Sequence, residues 1–394
     1  MDNPTKEEGK SRVGTKLHDG FCDNLEPVAP LDLGRCRDAD ELARAMSRTA
    51  FAGRSLGEAV DVFYAMATDP DCFVVHTVSG AMTVAKMGLI ICDMMDKGLI
   101  HAMVSTGALM AHGFVEATGR LHFKYDPRMN DRELYYGGYD RVYDTLELEK
   151  NLDDTETIMD GVFEKADQKT TLCSWKINKL LGEYLSKKES GRAILKSAYK
   201  KKIPVYVPAF TDSELGLDLG LYNRKQKLQG RQQLNFNPML DLDHFADLLV
   251  KQKRLGIFTI GGGVPRNWAQ QIGPYLDLIR YRVMKEEAKG KHNMDAALRK
   301  TEQMFKRYRY GVRICPEPVH WGGLSGCTYS EGVTWGKLVP KSEGGRWAEV
   351  LIDATVGWPL LMKAVLERLK KNRSDMAKIK DKAKRIRKIM AERY

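Results

Sequence analysis

The sequence predicts an α/β protein built on a doubly wound, mostly parallel sheet with helices on both faces. Short β-branched runs alternate with helical stretches along the chain, and parallel strands joined by such crossovers are covered on both sides. Three of the runs end in small or hydroxyl residues: Ser79-Gly80-Ala81, Ser105-Thr106-Gly107-Ala108 and Gly261-Gly262-Gly263. In open sheets of this kind, ligands bind at the carboxyl ends of the strands.

From Asp38 to Met66 apolar residues recur at helical spacing (Leu42, Ala45, Met46, Phe51, Leu56, Val60, Phe63), which predicts a helical entry. CFVVHTVSG after Asp69-Pro70 predicts a strand, and AMTVAKMGLIICDMMDKG predicts a helix closed by Gly98. The unit repeats, with IHAMVSTG as a short buried strand and ALMAHGFVEATG as a helix. IPVYVPAF at 203–210, LGIFTIGGG at 255–263, YGVRIC at 310–315 and WAEVLIDAT at 347–355 supply four more strands. From Pro359 a helical pattern runs into a basic tail.

A length of 394 residues suits one large α/β domain or two ordinary ones, and the composition is that of an ordinary globular protein. The chain divides into a polar arm (1–38), one domain (39–366) and a basic helical tail (367–394). The formal net charge is +11, but Arg368 to Tyr394 holds twelve Lys/Arg against three Asp/Glu, which leaves +2 for the rest. The body is therefore nearly neutral, which argues against a nucleic-acid face. With few large apolar residues opposite its charges, the tail reads as a solvated helix or frayed end rather than a membrane helix. Seven scattered cysteines without a CxxC pair predict free thiols and a reducing compartment. No apolar leader or span is present in the sequence, so a cytoplasmic location is expected. The eight histidines show no metal-ligand spacing, and no metal is expected; His112 follows a small-residue turn and reads equally as a nucleotide contact or a buried histidine.

Small residues at strand ends let backbone N–H groups approach a pyrophosphate, and three such turns point to a nucleotide site. Arg266 occupies the place of the third glycine in G-x-G-x-x-G, so the ordinary dinucleotide fingerprint is absent. Asp212 and Asp353 each follow a strand, where a carboxylate either holds ribose hydroxyls or caps a helix. SEGVTWGK packs Glu331, Trp335 and Lys337 between glycines. A lysine against an indole and away from bulk water can attack as a neutral amine, and the indole and acid can hold a cationic amine. By residue type alone, a core Trp with surface Lys and Glu is the simpler account. On a helix Glu331 and Trp335 share a face, and a break at Gly336 is needed to bring Lys337 round to it.

Together the segments VSTGA (104–108), IPVYVPAFTDSELG (203–216), TIGGGVPRNW (259–268), WGGLSGCTYSEGVTWGK (321–337) and DATVGWPLL (353–361) resemble the deoxyhypusine synthase family over roughly residues 40–366. WGGLSG and the Asn after Pro-Arg are similar to its bacterial branch. The resemblance implies NAD as cofactor and spermidine as donor, with a 4-aminobutyl group carried as an imine on Lys337 and diaminopropane released. The acceptor it implies is a protein lysine of a hypusine-type translation factor, or putrescine as in homospermidine synthesis. It places polyamine contacts on Glu331 and Trp335, and nucleotide contacts on Ser105, Thr106, Gly107, Ala108, Asp212, Gly262, Gly263, Asp353 and Ala354. It further implies a homotetramer with active sites at subunit interfaces. A noncatalytic NAD-binding scaffold is the rival from another class; Lys337, Trp335 and Glu331 count against it, because NAD binding needs none of them.

The chain departs from the family pattern where eukaryotic members hold spermidine's amines. Leu217 stands where an acid is expected, with Asp218 one place on; Leu324 stands for a second acid, and Asn267 for a histidine. Asp218 and Asn267 therefore join the expected substrate contacts, and a small amine acceptor is slightly preferred over a protein lysine.

Overall fold

The computed structural model describes residues 17–284 and 305–391, so the first sixteen residues of the polar arm and the last three of the tail lie outside the described residues. Nine strands are numbered along the described chain. β1 (Cys72–Val78), β2 (Ala102–Ser105), β6 (Val205–Tyr206), β7 (Arg254–Ile260), β8 (Tyr308–Ile314) and β9 (Arg346–Val350) form one sheet in the order β6-β2-β1-β7-β8-β9. Every neighbouring pair is parallel. All seven residues of β1 are buried, with Val74 and Val78 facing one core and Phe73 and Val75 the other. This is the double cover that the apolar strands predict.

The chain starts at central β1, builds outward through β2 and β6, then returns to β1's other side for β7, β8 and β9. Strand order reverses between β1 and β7, the position at which open sheets of this type take ligands beyond the carboxyl ends of their strands. Helices Phe51–Thr68, Gly107–Ala117 and Ala354–Lys371 contribute to one core, and helices Met239–Val250 and Gly263–Gln270 to the other.

Two elements differ from the sequence-based expectation. The helical entry is split into Ala39–Met46 and Phe51–Thr68, and an antiparallel sheet of order β3-β5-β4 (Phe123–Lys124, Thr145–Leu148, Tyr139–Val142) follows the helix Gly107–Ala117. This small sheet exposes Tyr139 and Val142, so it lacks the continuous apolar run by which the buried strands are recognised.

The basic tail is not a solvated end. Helix Arg373–Ala391 buries Ile379, Ala383, Ile386 and Met390, a stripe spaced by four, three and four residues. Ile379 joins one core while Ile386 and Met390 join the other, so the helix crosses the amino-terminal edge of the sheet and closes both faces. Gly98 admits it: a Cβ there would lie 2.6 Å from the Ala383 Cβ. Lys382, 3% exposed, donates to the Ala67 carbonyl at 2.6 Å. Most of the other charges, Lys378, Lys380, Lys384, Arg385 and Lys388 among them, are on the outer face of a docked helix, and that is why they give no sign of the contact.

Cutting the chain after residue 372 removes three large buried side chains, each contributing about 1.5–3 kcal/mol. The truncated protein should melt well below the full chain; equal melting temperatures would show a solvated tail. Lys382 adds a pH signature, because burial pushes its ammonium from 10.5 down to about 8. Between those values the unfolded chain binds more protons than the folded one, so stability rises with pH by about 3 kcal/mol in all. Urea midpoints of wild type and Lys382→Met, compared from pH 7 to 10.5, should show this rise in the wild type alone.

Candidate active site

The three small-residue turns meet beyond the β1–β7 switch point. Ser79 accepts the Gly262 N–H at 2.9 Å through its Oγ, tying the turn after β1 to the turn after β7. Thr106 donates its hydroxyl to the Gly80 carbonyl at 2.9 Å, which ties in the turn after β2. Helices Gly107–Ala117 and Gly263–Gln270 start here with no side-chain cap on their first N–H groups. Gly262 permits close approach of another segment, since a Cβ would lie 2.6 Å from the Ser325 Cα. The strand-end turns thereby contact the loop that leads to Lys337.

That loop is held by two buried guanidinium groups. Arg266, 2% exposed, donates to the carbonyls of Leu324 (2.6 Å) and Cys327 (2.7 Å). Arg313 donates to the Ser325 carbonyl and pairs with Glu349 at 3.0 Å. Helix Tyr329–Thr334 follows, capped by Thr328 on the Glu331 N–H at 3.1 Å. Tyr329 is fully buried and donates its hydroxyl to the Val312 carbonyl at 3.0 Å, which pins the helix to β8.

The helix ends in a Schellman turn. Gly336 takes φ +69°, its N–H donates to Val333, and the Lys337 N–H donates to Gly332 at 3.0 Å. This is the break needed to bring Lys337 round. The Lys337 carbonyl then accepts the Tyr308 N–H at 2.9 Å, so the backbone is fixed on both sides of the side chain. Lys337 Nζ donates to Asn267 Oδ1 at 2.9 Å and lies 5.5 Å from the centre of the Trp335 ring.

Lys337 lines a cleft of about 240 Å³ with Arg266, Asn267, Leu324, Cys327, Glu331 and Trp335 among its neighbours. Partial burial lowers the pKa of its amine, and the Arg266 guanidinium lowers it further; Cys327 and Glu331 act in the opposite sense with less effect. The acceptor on Nζ is an amide oxygen and not a carboxylate, so no ion pair restores the charge at that contact. A half-buried amine with depressed basicity can attack an electrophilic carbon.

The structure unites some predicted residues and separates others. Lys337, Glu331, Trp335 and Asn267 share the cleft, and Trp335, 64% exposed, is not a core residue. Ser105, Thr106, Gly107, Ala108, Gly262 and Gly263 sit at the strand-end turns. Asp353 accepts the Thr355 N–H at 2.8 Å and caps its own helix, which begins at buried Ala354. Asp212 is exposed in the segment after β6. Asp218 does not line the Lys337 cleft. Burial, with Glu156, Glu214 and Asp160 nearby, pushes its carboxyl up to about 7. Sequence reasoning missed Arg266 as the clamp on the lysine loop, although its position in the glycine pattern had set it apart. It also missed a buried cluster of His112, His122 and Glu147, residues too far apart in sequence to show ligand spacing.

Acylation of the chain by an amine-directed reagent, followed by peptide mass spectrometry across pH, should find Lys337 modified at lower pH than exposed lysines such as Lys370. A labelling curve that coincides with theirs would contradict the depressed basicity.

The family model for deoxyhypusine synthase matches residues 41–365. A probable deoxyhypusine synthase 2 from Methanosarcina acetivorans is 31% identical, with 89% of this chain and 92% of that protein covered. A deoxyhypusine synthase-like protein from Chlorobaculum parvum is 29% identical, over 85% of this chain and 88% of that protein. A crystal structure of a deoxyhypusine synthase candidate from Entamoeba histolytica shares the fold, with a TM-score of 0.54 at 14% identity, covering 86% of this chain and 97% of that one. By the match to the family model over most of its length, and by relatives of this identity, the chain belongs to the deoxyhypusine synthase family.

Proposed function

We propose that the chain is an NAD-dependent transferase that moves a 4-aminobutyl group from spermidine, through an imine on Lys337, to an acceptor amine. The observation that carries this reading is the half-buried Lys337 amine, aimed by Asn267 into a cleft shared with Glu331 and Trp335. A noncatalytic scaffold would need no such amine.

NAD fits the strand-end turns. Two uncapped helix N-termini, at Gly107 and Gly263, flank the crevice and offer free N–H groups to a pyrophosphate. Asp212, exposed after β6, is free for a ribose hydroxyl, whereas Asp353 keeps its capping bond. The cofactor, when bound, supplies hydride uptake and return.

Loss of hydride beside spermidine's secondary amine leaves an electrophilic imine carbon. Neutral Lys337 Nζ adds to that carbon, diaminopropane leaves, and the aminobutyl group remains on Lys337 as an imine. The acceptor amine then displaces Lys337, and the hydride returned to the new imine completes the transfer. Glu331 pairs with an ammonium end of the polyamine, and the Trp335 face supports its cationic stem. Asn267 holds Nζ in place without restoring its proton.

Leu324 lines the cleft where a carboxylate would pair another ammonium, so fewer charged groups are recognised there. This supports a small diamine such as putrescine over a protein lysine as acceptor. Exposed Trp321, Leu324, Trp335 and Val264 near the Lys337 segment fit a surface covered by a second subunit, which supports the homotetramer. The seven free thiols suit the cytoplasm. Among the described residues no helix is long and apolar enough to cross a membrane.

Borohydride added with NAD and spermidine should fix an aminobutyl mass on Lys337, and Lys337→Arg should abolish it, because arginine stays protonated. An adduct of equal yield on another lysine would refute the assignment. Putrescine and the hypusine-type factor, offered together, should yield homospermidine; exclusive modification of the factor would overturn the acceptor preference.

A further inference from the structure

Away from the Lys337 cleft, three donor atoms converge between helix Gly107–Ala117 and the small antiparallel sheet. His112 comes from the helix, His122 from the residue before β3, and Glu147 from β5. One ligand atom from each lies within 4.8 Å of the others. Glu147 Oε2 is 3.3 Å from His112 Nδ1 and 2.6 Å from His122 Nε2. The Glu147 and His122 side chains have no exposure, and that of His112 has 9%.

The carboxylate is oriented towards the rings by its other oxygen. Oε1 accepts from Asn151 Nδ2 at 2.7 Å and from the Leu148 N–H at 3.1 Å, which leaves Oε2 facing the two histidines. Asn151 is itself fixed by a bond to the Leu121 carbonyl at 3.1 Å. Carboxylates withdrawn from water are paired, hydrogen-bonded or bound to a metal.

His122 supplies the second, independent observation. Its Nε2 is buried and makes no aligned hydrogen bond, even though Glu147 Oε2 is 2.6 Å away. Lys86 Nζ lies 2.9 Å from its Nδ1. A buried imidazole nitrogen without an aligned partner, facing a buried carboxylate oxygen, leaves both atoms open to a shared cation.

We propose that His112 Nδ1, His122 Nε2 and Glu147 Oε2 bind a divalent metal ion of the zinc type, with water as the fourth ligand. Two imidazoles and one carboxylate are a zinc donor set, and tetrahedral bonds of about 2.0–2.2 Å put ligand atoms roughly 3.3 Å apart. The His112–Glu147 separation has this value, and His122 has only to withdraw by less than about 1 Å. A metal-bound His122 carries its proton on Nδ1, so Lys86 turns away towards Glu116, which already lies 3.6 Å from it. The ion clamps the small sheet to the helix whose first turn is the Thr106-Gly107 strand end. Its role is structural support of that turn.

The test uses the full chain with Cys22→Ser, which disables the exposed His18, Cys22, Asp23 cluster as a competing metal site. After chelator treatment, Zn²⁺ alone should bind one per chain and raise the melting temperature, and Co²⁺ should give the visible absorption of a four-coordinate ion. Glu147→Gln and, independently, His122→Asn should weaken Zn²⁺ binding by more than about 100-fold, beyond the 10–100-fold cost of second-shell changes. Lys86→Met should bind Zn²⁺ as tightly as the parent or more tightly, because it removes the competing ammonium. If the three residues form only a hydrogen-bonded relay, Lys86→Met lowers the melting temperature and Zn²⁺ changes nothing. Absence of stoichiometric binding in the parent, or equal Zn²⁺ affinity in parent and ligand variants, would overturn the proposal.

Discussion

A guanidinium withdrawn from water and bonded to two backbone carbonyls does most to hold the candidate site together. Arg266 stands on the helix that follows the Gly261-Gly262-Gly263 turn, and it fixes Leu324 and Cys327 in the loop before Lys337. A single side chain therefore joins the strand-end turns to the lysine segment. Its charge also disfavours protonation of Lys337, so the contact that sets the geometry helps to set the chemistry. Removing it would break two part-buried hydrogen bonds from a charged donor, a loss of about 1.5–3 kcal/mol each.

The sheet determines where this clamp can act. Because strand order reverses between β1 and β7, the connections leaving their carboxyl ends run to opposite sides of the pair, and the turns after β1, β2 and β7 gather there. The lysine reaches the same end of the sheet through helix Tyr329–Thr334, anchored by Tyr329 and closed by Gly336. At the opposite edge the tail helix seals the two cores with Ile379, Ile386 and Met390. Chemistry and closure thus occupy opposite ends of one sheet.

The buried parts of this arrangement were legible in the sequence. Runs such as CFVVHTV and LGIFTI have the β-branched, apolar character that double burial imposes, and all six main strands fall within or beside the predicted runs. Lys337 was identified through motif resemblance, because residue types alone favoured a surface lysine. What stayed hidden depends on contacts distant in the chain. The stripe on the tail was masked by the charges on its outer face, and the small sheet by its exposed side chains. His112, His122 and Glu147 meet only after a strand pairing that no local pattern announces. Asp218 failed to reach the cleft because its helix turns it towards Glu156 and Asp160, a direction that sequence proximity to Asp212 does not reveal.

The account claims that the strand-end crevice and the Lys337 cleft are two halves of one site. A crystal structure of the chain with NAD and a spermidine analogue that cannot be oxidised tests this directly. NAD should lie across the carboxyl ends of β1 and β7, with its nicotinamide towards the cleft and the analogue's internal amine beside Lys337 Nζ. A cofactor bound elsewhere on the molecule, or an analogue held away from Lys337, would contradict it.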